Sequence, residues 1–125
     1  GMYVGGGTVT ITGCEFKDNV SALGVGSYLD AYGAGLAIDQ GDVTISRTVF
    51  NNNDAMTSGG GIYYDGGNLT CTNCLLINNS VPTGFGHYGG GILAMSITSN
   101  VCCLIVRVIW HIPRQYSHQV AANYY

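Results

Sequence analysis

Three stretches, TVTITGCEFKDN (residues 8–19), DVTISRTVFNNN (42–53) and NLTCTNCLLINN (68–79), align with one another without a gap. Each opens with apolar residues two apart: Val9 and Ile11, Val43 and Ile45, Leu69 and Cys71. Each then bends at a two-residue step (12–13, 46–47, 72–73) and resumes the alternation with Phe16, Phe50 or Leu76. Period two is the signature of strands with one buried face, and nothing here has the 3.6-residue period of a helix. A second motif lies just upstream of each copy: GMYV (1–4), GLAI (35–38) and GIYY (61–64), with a fourth, GILA, at 91–94. In the three complete copies the motif glycine stands eight residues before Val9, Val43 or Leu69. Measured between motif glycines the repeats are 34, 26 and 30 residues long. A constant core with insertions of variable length is the mark of a solenoid, in which extra residues leave through loops.

With the apolar parity turned inward, the copies stack into columns. Met2, Leu36, Ile62 and Ile92 form one; Val4, Ile38, Tyr64 and Ala94 form the next. Val9, Val43 and Leu69, then Ile11, Ile45 and Cys71, then Phe16, Phe50 and Leu76 complete the set. Such columns make an all-β fold, a parallel β-helix with coils about 4.8 Å apart. About 3.5 coils are expected over residues 1–99, near the three repeats a solenoid needs for stability. The fourth glycine motif opens a turn that no further gap-free copy completes.

Composition agrees with this and removes several alternatives. Among 125 residues, 20 are Gly and 11 are charged, 7 acidic and 4 basic; average chains carry about 7% Gly and 25% charge. So few charges leave no solvated faces for a helical bundle. A net charge of -3 with four Lys and Arg offers no phosphate-binding footprint, so no nucleic-acid partner is expected. At 46% hydrophobic the chain is too apolar for a disordered acidic tail. The longest apolar run, 101–112, contains Arg107 and is shorter than the roughly 20 residues of a membrane span. The first residue is Gly1, and no charged-then-apolar leader is visible, which suggests a piece of a longer protein.

The pairing of Gly-Gly-Gly-Ile (59–62, 89–92) or Gly-Ala-Gly-Leu (33–36) with Phe-x-x-Asn (16–19, 50–53, and the variant 76–79) resembles the repeats of the polymorphic outer membrane proteins. Those are autotransporter-type surface proteins with a right-handed β-helix passenger. The resemblance covers residues 1–94 and implies a right-handed solenoid, an extracellular or cell-surface location, and an adhesive role. It departs at Leu76, which replaces Phe, and no membrane barrel follows in this chain.

Asn19, Asn53 and Asn79 close the three copies, and stacked one above another they form a candidate structural Asn ladder. Asn also tolerates the left-handed backbone that a tight corner demands, so the ladder residues are expected at the corner itself. Insertions fall between that Asn and the next glycine motif. The first carries Tyr28, Asp30 and Tyr32; the third carries Phe85, His87 and Tyr88; between them lies a short stretch from Asp54 to Ser58. Two aromatic loops flanking a short one would leave a shallow notch suited to sugar or protein recognition. The plainer reading, which outweighs that one, is that the same aromatics cover exposed edges of the solenoid, and His87, with no partnered nucleophile or acid, reads as a loop residue.

Asp39 and Asp65 each lie four residues after a motif glycine and point outward by parity on adjacent coils. Their separation of about 5 Å is near the roughly 5–5.5 Å between the carboxyls of retaining glycosidases, and paired carboxylates also suit Ca²⁺. Their contexts, Asp-Gln-Gly and Asp-Gly-Gly, are ordinary turns in which Asp bonds its own backbone, and that reading outweighs catalysis. Cys71 and Cys74 form a C-x-x-C pair without a second half, so no metal and no cofactor are expected. Both fall on core columns, where Cys serves as a small hydrophobe; Cys14 and Cys74, two coils apart, are beyond disulfide reach. Sequons begin at Asn19, Asn68 and Asn78, of which Asn68 is the most plausible acceptor. Residues 100–125, with Trp110 and two of the three His, follow no repeat and are read as a tail, a cap or an extra strand.

The expectation is a fragment of a secreted or cell-surface repeat protein with a structural or adhesive role, an enzymatic role being left open. It would present Tyr3, Tyr63 and the insertion loops to a host or cell-surface protein or glycan. The alternative is a polysaccharide-binding or polysaccharide-degrading module using Asp39, Asp65 and the aromatic notch.

Overall fold

In the computed structural model, residues 1–22, 32–81, 90–94 and 101–109 are described, the last of these as backbone. The chain runs through β1 (Met2–Val4), β2 (Thr8–Thr12), β3 (Glu15–Lys17) and β4 (Val20–Ser21) in the first coil. The second coil repeats this with β5 (Leu36–Ile38), β6 (Asp42–Ser46), β7 (Val49–Asn51) and β8 (Asp54–Ala55). In the third coil β9 (Ile62–Tyr64) precedes β10 (Asn68–Ile77), a single strand that matches β6 and β7 together. The fourth contributes β11 (Ile92–Ala94) and β12 (Val101–Ile109).

Every strand pairing is parallel and joins one coil to the next. Sheet A stacks β1, β5, β9 and β11; sheet B stacks β2, β6 and β10, with β3 and β7 beside them and β12 on β10; sheet C pairs β4 with β8. The registers are those of the apolar columns, for example Met2 with Leu36 and Leu36 with Ile62. Leu36, Ile38, Ile45, Phe50, Ile62, Tyr64, Leu69, Cys71 and Cys74 are fully buried. Burial of each large apolar side chain contributes roughly 1.5–3 kcal/mol, so the column is the main source of stability. Met2, Val9 and Phe16 of the first coil are only partly buried, each packed against the core from one side. Phe16 and Phe50 stack face to face, with centroids 4.9 Å apart and 3° between planes.

The turn that the Gly91 motif opens continues, out of register with the earlier copies, into an extra strand. Val101 pairs with Leu69 and Cys103 with Cys71, so β12 continues sheet B. Val101 lies ten residues after Gly91, whereas Leu69 lies eight after Gly61. A gap-free alignment fails on that two-residue difference, and the β10–β12 pairing also shifts register around Cys74.

The corners hold a correction. Left-handed backbone falls at Asp18, Asn52 and Asn78, with φ of 54°, 55° and 52°, one residue before each ladder asparagine. The other corner repeats it at Gly13, Arg47 and Asn73. The ladder residues themselves are thereby turned inward. Asn19 Nδ2 donates to Asn53 Oδ1 and Asn53 Nδ2 to Asn79 Oδ1, each at 2.8 Å. Asn53 and Asn79 also donate to the carbonyls of Phe16 and Phe50, both at 2.9 Å. Corner and ladder need different properties, so they occupy adjacent positions.

Candidate functional site

Strand parity that buries Leu36 and Ile62 turns the middle residue of each sheet A strand outward. Tyr3, Ala37 and Tyr63 therefore stand in one outward column, paired Tyr3 to Ala37 and Ala37 to Tyr63. The small Ala37 lets Gly33 pack closely beside it: a Cβ at Gly33 would lie 2.7 Å from the Ala37 Cα, and the Gly33 φ is 59°. Only Gly combines that approach with a left-handed backbone.

Tyr32, the residue before this turn, lies against the next coil. It forms a parallel bridge with Ser58 and its ring stacks on Tyr63, centroids 4.5 Å apart and planes 16° from parallel. Tyr32 and Ser58 both stand three residues before a motif glycine, and that shared spacing is the signal by which the pairing is legible. Tyr3 is 67% exposed, so its ring face is open to a partner.

Asp39 and Asp65 end the same strands. The Asp39 amide bonds the Val4 carbonyl at 3.0 Å and the Asp65 amide the Ile38 carbonyl at 2.8 Å, which places the two residues side by side on adjacent coils. Both are exposed. Instead of closing on its own turn backbone, the Asp39 carboxylate accepts the Tyr3 hydroxyl at 3.3 Å. Asp39 raises the Tyr3 phenol above its usual 10, because a nearby negative charge disfavours the phenolate. The Tyr63 phenol is also raised, first by burial and then by the charge of Asp65, with Tyr32 and Asp39 adding to it. The two carboxylates thus share an electrostatic neighbourhood with the tyrosines. Three aromatic rings and two acidic groups form one patch on sheet A.

The other sequence-selected residues lie elsewhere. Asp54 belongs to β8 in sheet C, where it accepts the Ser80 hydroxyl at 2.9 Å. Tyr28, Asp30, Phe85, His87 and Tyr88 lie outside the described residues. Cys71 and Cys74 are buried and Cys14 is exposed. A hydrogen bond with the Cys71 thiol holds Cys74 down to about 7, against burial, which acts to raise it. Among the sequons, Asn68 is exposed and donates to Asp42 at 2.6 Å. Among the described residues no three His, Cys, Asp or Glu converge as a metal site, and no helix is long and apolar enough to cross a membrane.

Tyr3, Asp39 and Asp65 are exposed, and the patch offers ring faces for stacking and carboxylates for hydrogen bonds or charge pairing. No curated protein and no solved structure matches the chain. A family model described as the right handed beta helix region matches residues 1–102. With the parallel stack and its columns, this match shows that the chain belongs to the right-handed β-helix family.

Proposed function

We propose that this chain is part of a secreted or cell-surface protein of the polymorphic outer membrane protein type, in which the β-helix displays an adhesive surface. The observation that carries this reading is the patch of Tyr3, Tyr32, Tyr63, Asp39 and Asp65 on a rigid sheet. Rigidity matters because side chains already ordered by the stack lose little entropy when a partner docks. Exposed tyrosines with two rotatable bonds are efficient contact residues for the same reason. The test is adhesion of beads coated with the chain to cultured cells. The double variant Tyr3→Ala/Tyr63→Ala should lower retention severalfold while far-ultraviolet dichroism stays unchanged. Undiminished adhesion by that variant refutes the proposal.

A second reading, action on polysaccharide, is favoured by the adjacency of Asp39 and Asp65 beside the stacked Tyr32–Tyr63 pair. It requires release of reducing ends from a polysaccharide by the chain, abolished in Asp39→Asn/Asp65→Asn. Absence of release across neutral and acidic polysaccharides removes it.

A further inference from the structure

We infer that the sheet A patch takes a cationic partner, a basic segment of another protein that lays an Arg side chain on the exposed Tyr3 ring beside the two carboxylates. The inference rests on the adhesive reading and names its partner class.

Charge complementarity carries it. Among the described residues, the patch holds Asp39 and Asp65 but no Lys or Arg. Lys17 lies in β3, where it pairs with Asp18 at 3.9 Å, and Arg47 lies at the corner between β6 and β7. Arg107 belongs to β12, which joins sheet B. The basic residues of the described chain are therefore on sheet B or its corners, away from the patch. An acidic sugar or a phosphate would meet two carboxylates with no counter-charge, so anionic ligands are disfavoured.

Ring geometry adds the second half. The negative face of an aromatic ring attracts a cation, and a planar guanidinium both stacks on Tyr and forks onto a carboxylate. Tyr3 stands across Ala37 from the Tyr32–Tyr63 stack, and its hydroxyl reaches Asp39. An Arg side chain laid on the exposed Tyr3 ring would thus meet a ring face and the Asp39 carboxylate together. Neutral sugars could use the rings but would leave the concentrated negative charge unused.

The experiment measures binding of the whole chain to a short peptide of alternating Arg and Ser. A counterpart with citrulline in place of Arg keeps the shape and removes the charge. The Arg peptide should bind, the citrulline peptide at least about tenfold more weakly, and added salt should weaken the former alone. Asp39→Asn/Asp65→Asn and Tyr3→Ala should each cost about tenfold. Glu15→Gln/Asp18→Asn, which removes the same charge from sheet B and its corner, should leave binding within twofold. Dichroism and thermal melting of each variant separate lost binding from lost fold. Equal losses in the sheet A and sheet B variants, equal binding of the citrulline peptide, or no binding at low salt would each overturn the inference. So would binding of neutral cello-oligosaccharides that displaces the Arg peptide. Adhesion that persists without competition by the Arg peptide overturns this inference and leaves the adhesive reading standing. Peptide binding without any cell adhesion does the reverse.

Discussion

Replacing Asn53 by Ala tests the ladder at its most constrained rung. Asn53 is fully buried and uses its whole amide. Nδ2 donates to Asn79 Oδ1 at 2.8 Å and to the Phe16 carbonyl at 2.9 Å. Oδ1 accepts from Asn19 Nδ2 at 2.8 Å and from the Asn19 amide at 3.3 Å. The variant deletes all four. A net value of about 1 kcal/mol per hydrogen bond, with part of the loss recovered by water at the less buried Asn19, puts the cost at about 3–4 kcal/mol. Asn19→Ala is the internal comparison: its side chain is partly exposed, and besides Asn53 it serves only the terminal ammonium, at 2.7 Å. That change should cost about 1–2 kcal/mol. Urea unfolding followed by dichroism reads both; with a slope of about 2 kcal/mol per molar, Asn53→Ala should move the midpoint by about 1.5–2 M. Asn53→Asp should be as damaging despite its matching shape, because a carboxylate cannot donate to Asn79 Oδ1 or to Phe16. Equal midpoints for the Asn53 and Asn19 variants, or a loss under about 1 kcal/mol at Asn53, would refute the reasoning.

Other perturbations probe the corner, the core and the patch. Gly67→Ala would drive a Cβ into the Gly41 carbonyl oxygen at a φ of 99°; a loss of at least about 2 kcal/mol is expected, and a neutral result by urea unfolding contradicts the close approach. Phe50→Ala should cost about 3–5 kcal/mol, and Phe16→Ala clearly less, since only Phe50 is fully buried; reversal of that order by thermal melting opposes the stacking order of the coils. Ultraviolet titration of phenolates should show Tyr3 and Tyr63 ionising above 10, with Asp39→Asn lowering Tyr3. Because the folded values are raised, their contribution to stability is present below pH 10 and is lost as pH rises through the folded values. Stability rising over that interval would contradict the assignment.

Much of the architecture is readable in one dimension because a parallel stack in register places like residues on like residues. Apolar parity therefore identifies the columns from Met2 to Phe50 before any coordinates, and the recurring Asn at 19, 53 and 79 marks one position of the coil. Features that depend on the path between the constant motifs are not readable in this way. Left-handed backbone passes to Asp18, Asn52 and Asn78, since a residue at the corner cannot also turn its amide into the stack. β12 rejoins sheet B after a connection two residues longer than its predecessor, a difference that backbone hydrogen bonding tolerates and sequence alignment does not. The patch is the clearest case. Tyr3, Tyr63, Asp39 and Asp65 are outward by parity alone, but Tyr32 ends an insertion whose length differs from coil to coil. Only the turn at Gly33, packed against Ala37, brings its ring onto Tyr63. Periodicity in the chain determined the repeat, its inward columns and its ladder; the tertiary stack alone decided which aromatic and acidic residues share a surface, because contacts across coils depend on loop paths that have no period.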